Sequence, residues 1–398
     1  MLIAGDQQLL KQMNRMVLVR KLFNSPDLSR ADLAAAVGLT KSTVSLLVKE
    51  LVDEGWFEER ELINTGNLGR RPTPLHIDKI RIAILGAEFG VDKARIVATN
   101  LLGEIIVRSD VEYLDSSDPA SCFELVAREL VRLAKRIDSA GRTVLGLGVG
   151  VYGGVDEDLG ILHYAPNLGW RNVEVSKLLK SHFTKTLLSK TPLFIQNDAN
   201  VAALAQFEFG NQASVDPLVY VSVGYGVGAG VIVHDRLLTG HCGWAGEIGH
   251  TILVAGGPRC SCGRRGCAEA MMGLSALLKK TNIKKKTAGL DTLLAKVKAG
   301  DPTACEAVEE AGQYLGILLN NVWSSFDPMN IVLGGPAMQI GEKLLNPALK
   351  VLNEYAQASQ LPAPIITQSS YGLDVVAIGA AALVRYRLTR PYSLQKGA

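Results

Sequence analysis

One glycine-bearing hairpin is written twice in this chain, and that duplication narrows the possible folds more than any other feature. The stretch LGAEFGVDKARIVATNLLGE begins at Leu85, and VSVGYGVGAGVIVHDRLLTG begins 136 residues later at Val221. In this alignment Phe89-Gly90-Val91 meets Tyr225-Gly226-Val227, and Leu101-Leu102 meets Leu237-Leu238. Each copy reads as strand, glycine turn, strand, turn, strand. Two such units predict two α/β lobes with a ligand cleft between them. Glycines at the turns let backbone N–H groups approach phosphate oxygens closely. The helical segments SCFELVARELVRLAKRI, NDANVAALAQFEFG and CEAVEEAGQYLGILLNNVWSSF are expected to cover the sheets, and NIVLGGPA reads as a buried strand entering a Gly334-Gly335 turn.

A chain of 398 residues is too long for one ordinary core. With 47% hydrophobic and 20% charged residues it has the balance of a globular protein with a large interior. It contains no apolar run of about 18 residues, the length that spans a bilayer. The start, MLIAGDQQLLKQ, lacks a basic segment followed by an apolar one. The expected compartment is therefore the cytoplasm, with no membrane insertion and with thiols kept reduced. The net charge of +3 does not by itself imply nucleic acid.

The front of the chain has a different texture. Residues 8–23, QLLKQMNRMVLVRKLF, lack Gly and Pro and predict a helix. SRADLAAAVGLTKSTVSLLVKELVDEGWF then reads as two short helices about a tight turn, with Ser29 and Thr40 as N-caps and Gly38 as the stop. Val44, Leu47, Val48 and Leu51 recur at helical spacing and face inward. The opposite stripe offers Ser42, Ser45 and Lys49, with Lys41 and Thr43 in the first turn. Short polar groups in the first turns of a second helix suit base edges and phosphates in a major groove, so this is the layout of a DNA-binding helix-turn-helix. The segment around NTGNLGRR predicts a wing whose Arg70 and Arg71 enter a minor groove or clamp phosphates. A helical protein-interaction module is the alternative.

Three of the six cysteines fall in GHTILVAGGPRCSCGRRGCAE. With His250, the thiolates of Cys260, Cys262 and Cys267 make a complete tetrahedral set for one structural Zn²⁺, leaving no position open for water. A disulfide is disfavoured in a reducing compartment, and the paired spacing of a DNA-reading finger is missing. Reduced cysteines without metal are the remaining alternative.

From residue 81 onward the motifs GVYGGVD, PNLGW, NDAN, GYGVGAGV, GEIGH and CSCGRRGCAE occur in an order that resembles the ROK family of repressors and kinases. The resemblance implies an actin-like, ribonuclease H-like, two-lobed sugar-kinase fold behind the N-terminal winged helix-turn-helix. It implies domains at 1–80, at 81–200 with a C-terminal helix 376–398 returning to that lobe, and at 201–375 with the zinc loop. It further implies a sugar site lined by Asn167, Asn197, Asp198, Glu247, His250 and Glu269, so that His250 serves both metal and sugar. A helix-turn-helix ahead of such a body is the arrangement of the family's sugar-responsive repressors of the xylose and N-acetylglucosamine type. Operator DNA, a monosaccharide or sugar phosphate, a second copy of the chain and, for some members, a sugar-transport protein are the implied partners.

Asp198 matches the catalytic base of the family's kinases, yet the phosphate half departs from their pattern. Glu88-Phe89-Gly90-Val91-Asp92 stands in place of Asp-x-Gly-Gly-Thr, and Gly224-Tyr225-Gly226 in place of Gly-Thr-Gly. A carboxylate facing phosphates is repulsive, and a phenol ring crowds them. The expectation is a sensor with Asp198 as a vestigial base, the rival being a sugar kinase with a DNA-binding appendage.

Overall fold

A computed structural model of the chain describes residues 7–60, 73–210, 215–241, 243–284 and 288–390. Helix α1 (Gln7–Asn24) leads into α2 (Arg30–Val37) and α3 (Lys41–Asp53). Ser29 and Asp32 cap α2 reciprocally: Ser29 Oγ accepts from the Asp32 amide at 3.2 Å, and Asp32 Oδ2 from the Ser29 amide at 3.0 Å. Gly38 turns the chain with φ 70°, and Thr40 Oγ1 accepts from the Thr43 amide at 3.2 Å to start α3. The axes of α2 and α3 differ by 117°, within the range of helix-turn-helix pairs. Val44, Leu47, Val48 and Leu51 are buried against Leu18, Leu22 and Leu33. Strands β1 (Phe57–Glu59) and β2 (Leu75–Ile77) pair antiparallel with Phe57 opposite Ile77. The segment between them, with the Arg70 and Arg71 expected on a wing, lies outside the described residues.

The body begins with β3 (Ile82–Phe89), β4 (Lys93–Thr99) and β5 (Ile105–Glu112), followed by α4 (Pro119–Ser139) and β6 (Thr143–Val151). A small sheet, β7 (Gly154–Asp156), β8 (Ile161–Ala165) and β9 (Trp170–Val173), precedes α5 (Val175–Phe183), β10 (Leu193–Asn197) and α6 (Asp198–Phe209). The second half carries β11 (Leu218–Val223), β12 (Val227–Val233), β13 (Arg236–Leu237), α7 (Ala268–Met272), α8 (Leu274–Lys280), α9 (Gly289–Lys298) and α10 (Pro302–Phe326). It ends with β14 (Asn330–Gly334), α11 (Glu342–Ser359), β15 (Ile365–Gln368) and α12 (Val375–Thr389). Among the described residues no single helix is long and apolar enough to cross a membrane.

The duplicated hairpin becomes two sheets of one topology. Their strand orders are β5-β4-β3-β6-β10 and β13-β12-β11-β14-β15. In each, the first three strands pair antiparallel and the last two join parallel. The outer helices α4 and α10 each bury an apolar stripe against their own lobe.

Two further helices, α6 and α12, lie between the sheets. Along α6 every residue from Asp198 to Glu208 is buried, and with α12 it forms a core shared with Val97 of one sheet and Tyr220, Ile232 and Val332 of the other. A domain line between residues 200 and 201 therefore falls inside α6, because that helix is the crossover and packs on both lobes. Its fit depends on missing side chains. A Cβ on Gly148 would stand 1.7 Å from the Ala380 carbonyl oxygen, one on Gly86 2.1 Å from that of Ala377, and one on Gly379 2.0 Å from that of Val201. Gly148→Ala is expected to cost about 1–3 kcal/mol or more through overpacking, seen as a lower denaturation midpoint by circular dichroism; an unchanged midpoint would refute the close approach.

Candidate functional site

On α3, Lys41, Ser42, Ser45 and Lys49 are exposed. Thr43 is half-buried and its hydroxyl lies 2.8 Å from Thr40 Oγ1, so it is committed to the cap. Leu46 joins the exposed face at 58% exposure. An apolar side chain among donors is compatible with contact to a thymine methyl group, and the polar pattern alone had not singled it out. Arg30 of α2 reaches the same face, donating from Nη1 to the Ser45 carbonyl at 3.0 Å.

The cysteine loop closes on itself through short backbone bonds, Cys260 N to Arg264 O at 2.8 Å and Gly266 N to Pro258 O at 2.8 Å. These bring one atom each of His250, Cys260, Cys262 and Cys267 within 4.8 Å of one another. Cys260 Sγ lies 3.6 Å from His250 Nδ1, and Cys262 Sγ 3.7 Å from Cys267 Sγ. A tetrahedron with Zn–S of about 2.3 Å and Zn–N of about 2.0–2.1 Å has S–S edges of about 3.8 Å and S–N edges of about 3.5 Å. The four donors fit such an ion. Burial lowers the basicity of His250 and favours the neutral, ligating imidazole. With Nδ1 toward the cysteines, Nε2 points to Glu247, 3.8 Å from Oε2.

That second nitrogen opens onto the cleft. Asn197 ends β10 and caps α6, its Oδ1 accepting from the amides of Ala199 at 2.9 Å and Asn200 at 3.2 Å. Its Nδ2 donates to the Gly153 carbonyl and to Asp198 Oδ1, both at 3.0 Å. Asn197 is thus a capping residue as well as a cleft residue. Asp198, at the first turn of α6, is buried at 8% exposure. Burial, with the Glu247 and Glu88 carboxylates nearby, pushes its carboxyl up to about 8. Burial and then Glu269 push Glu247 up to about 7. Glu269, in the first turn of α7, accepts from the Val227 amide at 3.2 Å and from Ser261 Oγ at 2.8 Å. Glu269 and Asn167 meet beside Gly226: a Cβ there would stand 3.0 Å from Glu269 Oε2 and 3.6 Å from Asn167 Nδ2. The six residues expected of the pocket come from four separate segments and converge on this region.

Glu88, read from the sequence only as part of the altered phosphate motif, also stands beside the polar groups of the cleft. Glu88, at the end of β3, is buried and accepts from Tyr152 Oη at 2.9 Å and Arg95 Nη1 at 3.1 Å, while burial raises its carboxyl. The signal was a lone carboxylate in the apolar strand IAILGAEF. On the phosphate side, burial and then the carboxylates of Asp92 and Asp291 raise the Tyr225 phenol. The Asp92 carboxylate of the first hairpin is thus near enough to the Tyr225 phenol of the second to act on it electrostatically.

The ROK family profile matches residues 84–387, and the MarR family profile matches residues 11–61. The chain is 30% identical to the xylose repressor of Bacillus spizizenii over 96% of its own length and 97% of that protein's. It is 27% identical to the glucokinase of Halalkalibacterium halodurans, over 79% of this chain and 97% of the kinase. Among solved structures, a ROK family transcriptional regulator described as a homologue of the E. coli MLC protein superposes with a TM-score of 0.78. It is 22% identical and covers 97% of this chain and 98% of its own.

Asp198 also sets a pH dependence. Its carboxyl titrates near 8 when folded and near about 3.9 when unfolded. Below the unfolded value both states hold the proton. Between the two values unfolding releases it, so stability is lost as pH rises through that window. Asp198→Asn removes this loss and keeps the Oδ1 acceptor. The variant should exceed the parent's stability by on the order of 1 kcal/mol or more at pH 8 and converge with it near pH 4. A difference independent of pH would contradict the buried neutral acid.

Proposed function

The chain belongs to the ROK family, and from that membership we propose that it is a sugar-responsive transcriptional repressor. The observation that carries the reading is the fusion of a helix-turn-helix to a cleft whose polar groups suit a polyol while its phosphate side is altered. Lys41, Ser42, Ser45 and Lys49 read the operator, Thr43 completes the cap that starts their helix, and Arg70 and Arg71 act from the wing. Asn167, Asn197, Asp198, Glu247, His250 and Glu269 hold a monosaccharide or sugar phosphate, whose binding alters operator affinity. A symmetric dimer on a roughly palindromic operator is the fitting assembly. The similarity to a protein named xylose repressor over nearly the whole of both chains supports this.

One structural Zn²⁺ per chain is assigned to His250, Cys260, Cys262 and Cys267, supported by the tetrahedral spacing of their donors. When bound it neutralises thiolate charge and ties the loop of Glu269 to that of Glu247. The residues themselves do the recognition: carboxylates accept from hydroxyls, and His250 Nε2 and Asn167 Nδ2 donate.

A kinase is the second reading, favoured by Asp198 and by the likeness to a glucokinase. Phosphoryl transfer depends on charge neutralisation around the γ-phosphate. A carboxylate about 4 Å from that phosphate, at an effective dielectric near 20, opposes it by roughly 4 kcal/mol. Asp92 supplies such a charge, and Tyr225 narrows the same approach.

Incubated with a random double-stranded DNA pool, the protein should select one palindromic sequence family. D-xylose, D-glucose or N-acetyl-D-glucosamine should change affinity for it. Failure to select DNA would defeat the regulator reading, and turnover near one per second with Mg-ATP would establish the kinase. Cys260→Ser should bring zinc from about one per chain to none by elemental analysis and lower the melting temperature; equal zinc content in both would remove the metal assignment.

A further inference from the structure

Helix α1 is gripped at one end by the DNA-reading helix and at the other by the pivot between the lobes. Near its start, Lys11 Nζ pairs with Glu50 Oε1 at 2.7 Å, and Arg15 pairs with Glu54, both partners at the C-terminal end of α3. Near its end, Phe23 packs beneath a buried guanidinium from α12. Arg385, 5% exposed, has its guanidinium carbon 4.2 Å from the ring centroid of Phe23 and 4.6 Å from that of Phe209. The same group donates from Nε to Glu208 Oε2 at 2.6 Å and from Nη1 to the Leu101 carbonyl at 3.1 Å. Arg385 therefore touches the first lobe, the far end of α6 and α1 at once.

A second attachment lies one turn earlier on α1. Arg20 pairs with Asp235, in the β12–β13 turn of the second lobe. His234 and Asp235 there are both left-handed, at φ 49° and 62°, which fixes the turn tightly. Tyr386 of α12 binds it too, its Oη accepting from the Leu237 amide at 3.1 Å and donating to the Asp235 carbonyl at 3.3 Å. Arg20 and Phe23 are three residues apart and share a face of α1.

We propose that α1 reads the relative position of the two lobes through the Phe23–Arg385–Glu208 stack and the Arg20–Asp235 pair, and delivers it to α3. Asp198 at the cleft end and Glu208 at the α1 end belong to one helix, so a polyol that repositions the first turn of α6 moves both together. A 12-residue helix spans about 18 Å at 1.5 Å per residue. Because Tyr386 pins the Asp235 turn beside Arg385, lobe closure swings that turn about the pinned point and redirects the Arg20 attachment relative to Phe23. A helix held at both points rotates, and the Lys11 and Arg15 pairs pass the rotation to α3. This inference rests on the sugar-sensing reading above.

The pair Arg20–Asp235 is partly exposed, at 35% and 51%, so its variants should fold. Operator affinity would be measured with and without saturating D-xylose, D-glucose or N-acetyl-D-glucosamine for the parent, Arg20→Ala, Phe23→Leu and the charge swap Arg20→Asp with Asp235→Arg. Affinity for each sugar would be measured without DNA. Arg20→Ala and Phe23→Leu should keep sugar affinity and sugar-free operator affinity within about threefold, yet lose at least about fivefold of the sugar-induced change, a sizeable part of typical coupling. The swap should recover most of it. Coupling equal to the parent's in both single variants overturns the relay while leaving the sensing reading intact. A parent whose operator affinity none of the three sugars alters overturns both.

Discussion

The Ala380 carbonyl oxygen passes within 1.7 Å of where a side chain on Gly148 would begin, and the architecture rests on contacts of that kind. Gly86, Gly148 and Gly379 remove the side chains that would hold α12 off β3, β6 and α6, while a Cβ on Gly230 would stand 2.4 Å from the Ala199 carbonyl beneath α6. Backbone against backbone leaves no compressible layer of side chains, so a helix pressed this closely moves with its sheet. The cleft residues Asn197 and Asp198 lie at one end of α6, and the aromatic and ionic cluster around Arg385 lies at the other.

The cysteine loop solves a related problem with different chemistry. Glu247 and Glu269 belong to segments with little regular structure, a single 3-10 turn and a five-residue helix. Loops so built do not by themselves hold carboxylates at fixed angles. Backbone bonds across the loop hold them, and four donors spaced for one ion would add a further tie if it is bound. His250 carries this into the cleft, since one ring nitrogen faces the thiols and the other faces Glu247. Fixing the first nitrogen fixes the tautomer and direction of the second.

The fold was legible wherever local periodicity and global packing demand the same thing. The repeat at Leu85 and Val221 marks the strands that open the two sheets, and Ser29, Gly38 and Thr40 mark the helix-turn-helix, because caps and glycine turns act over four residues. The cysteine cluster was legible because its ligands are close in sequence. What was hidden depends on residues distant in the chain. Glu208 and Arg385 are 177 residues apart, and each reads alone as an unexplained charge in an apolar helix. The line drawn at residue 200 missed the role of α6 for a similar reason: a helix buried all round has no amphipathic stripe to assign it to one lobe. Arg70 and Arg71 lie outside the described residues, so the wing rests on sequence.

The electrostatics of the cleft explain why a polyol should matter to a protein built this way. Glu88, Asp198 and Glu247 are carboxyl groups held in a common region, and burial raises all three. The region is rich in acceptors, and its donors are already partly committed, Tyr152 and Arg95 to Glu88 and Asn197 to Gly153 and Asp198. A sugar hydroxyl both donates and accepts, so a ring of them can pair with carboxyl oxygens and with the donors that the region offers. The benefit is largest when groups from both lobes reach the same ring, Asp198 from the crossover and Glu247 and Glu269 from the second lobe. A ligand that gains its hydrogen bonds only in one arrangement of the lobes favours that arrangement by its differential affinity, and by no more than that. An added phosphate-binding function would work against this balance, since a nucleotide bridging the lobes at Asp92 and Tyr225 would bias closure irrespective of the sugar. On the proposed reading, the altered phosphate side and the polar hydroxyl side serve one requirement: an equilibrium between lobe arrangements that answers to the sugar alone.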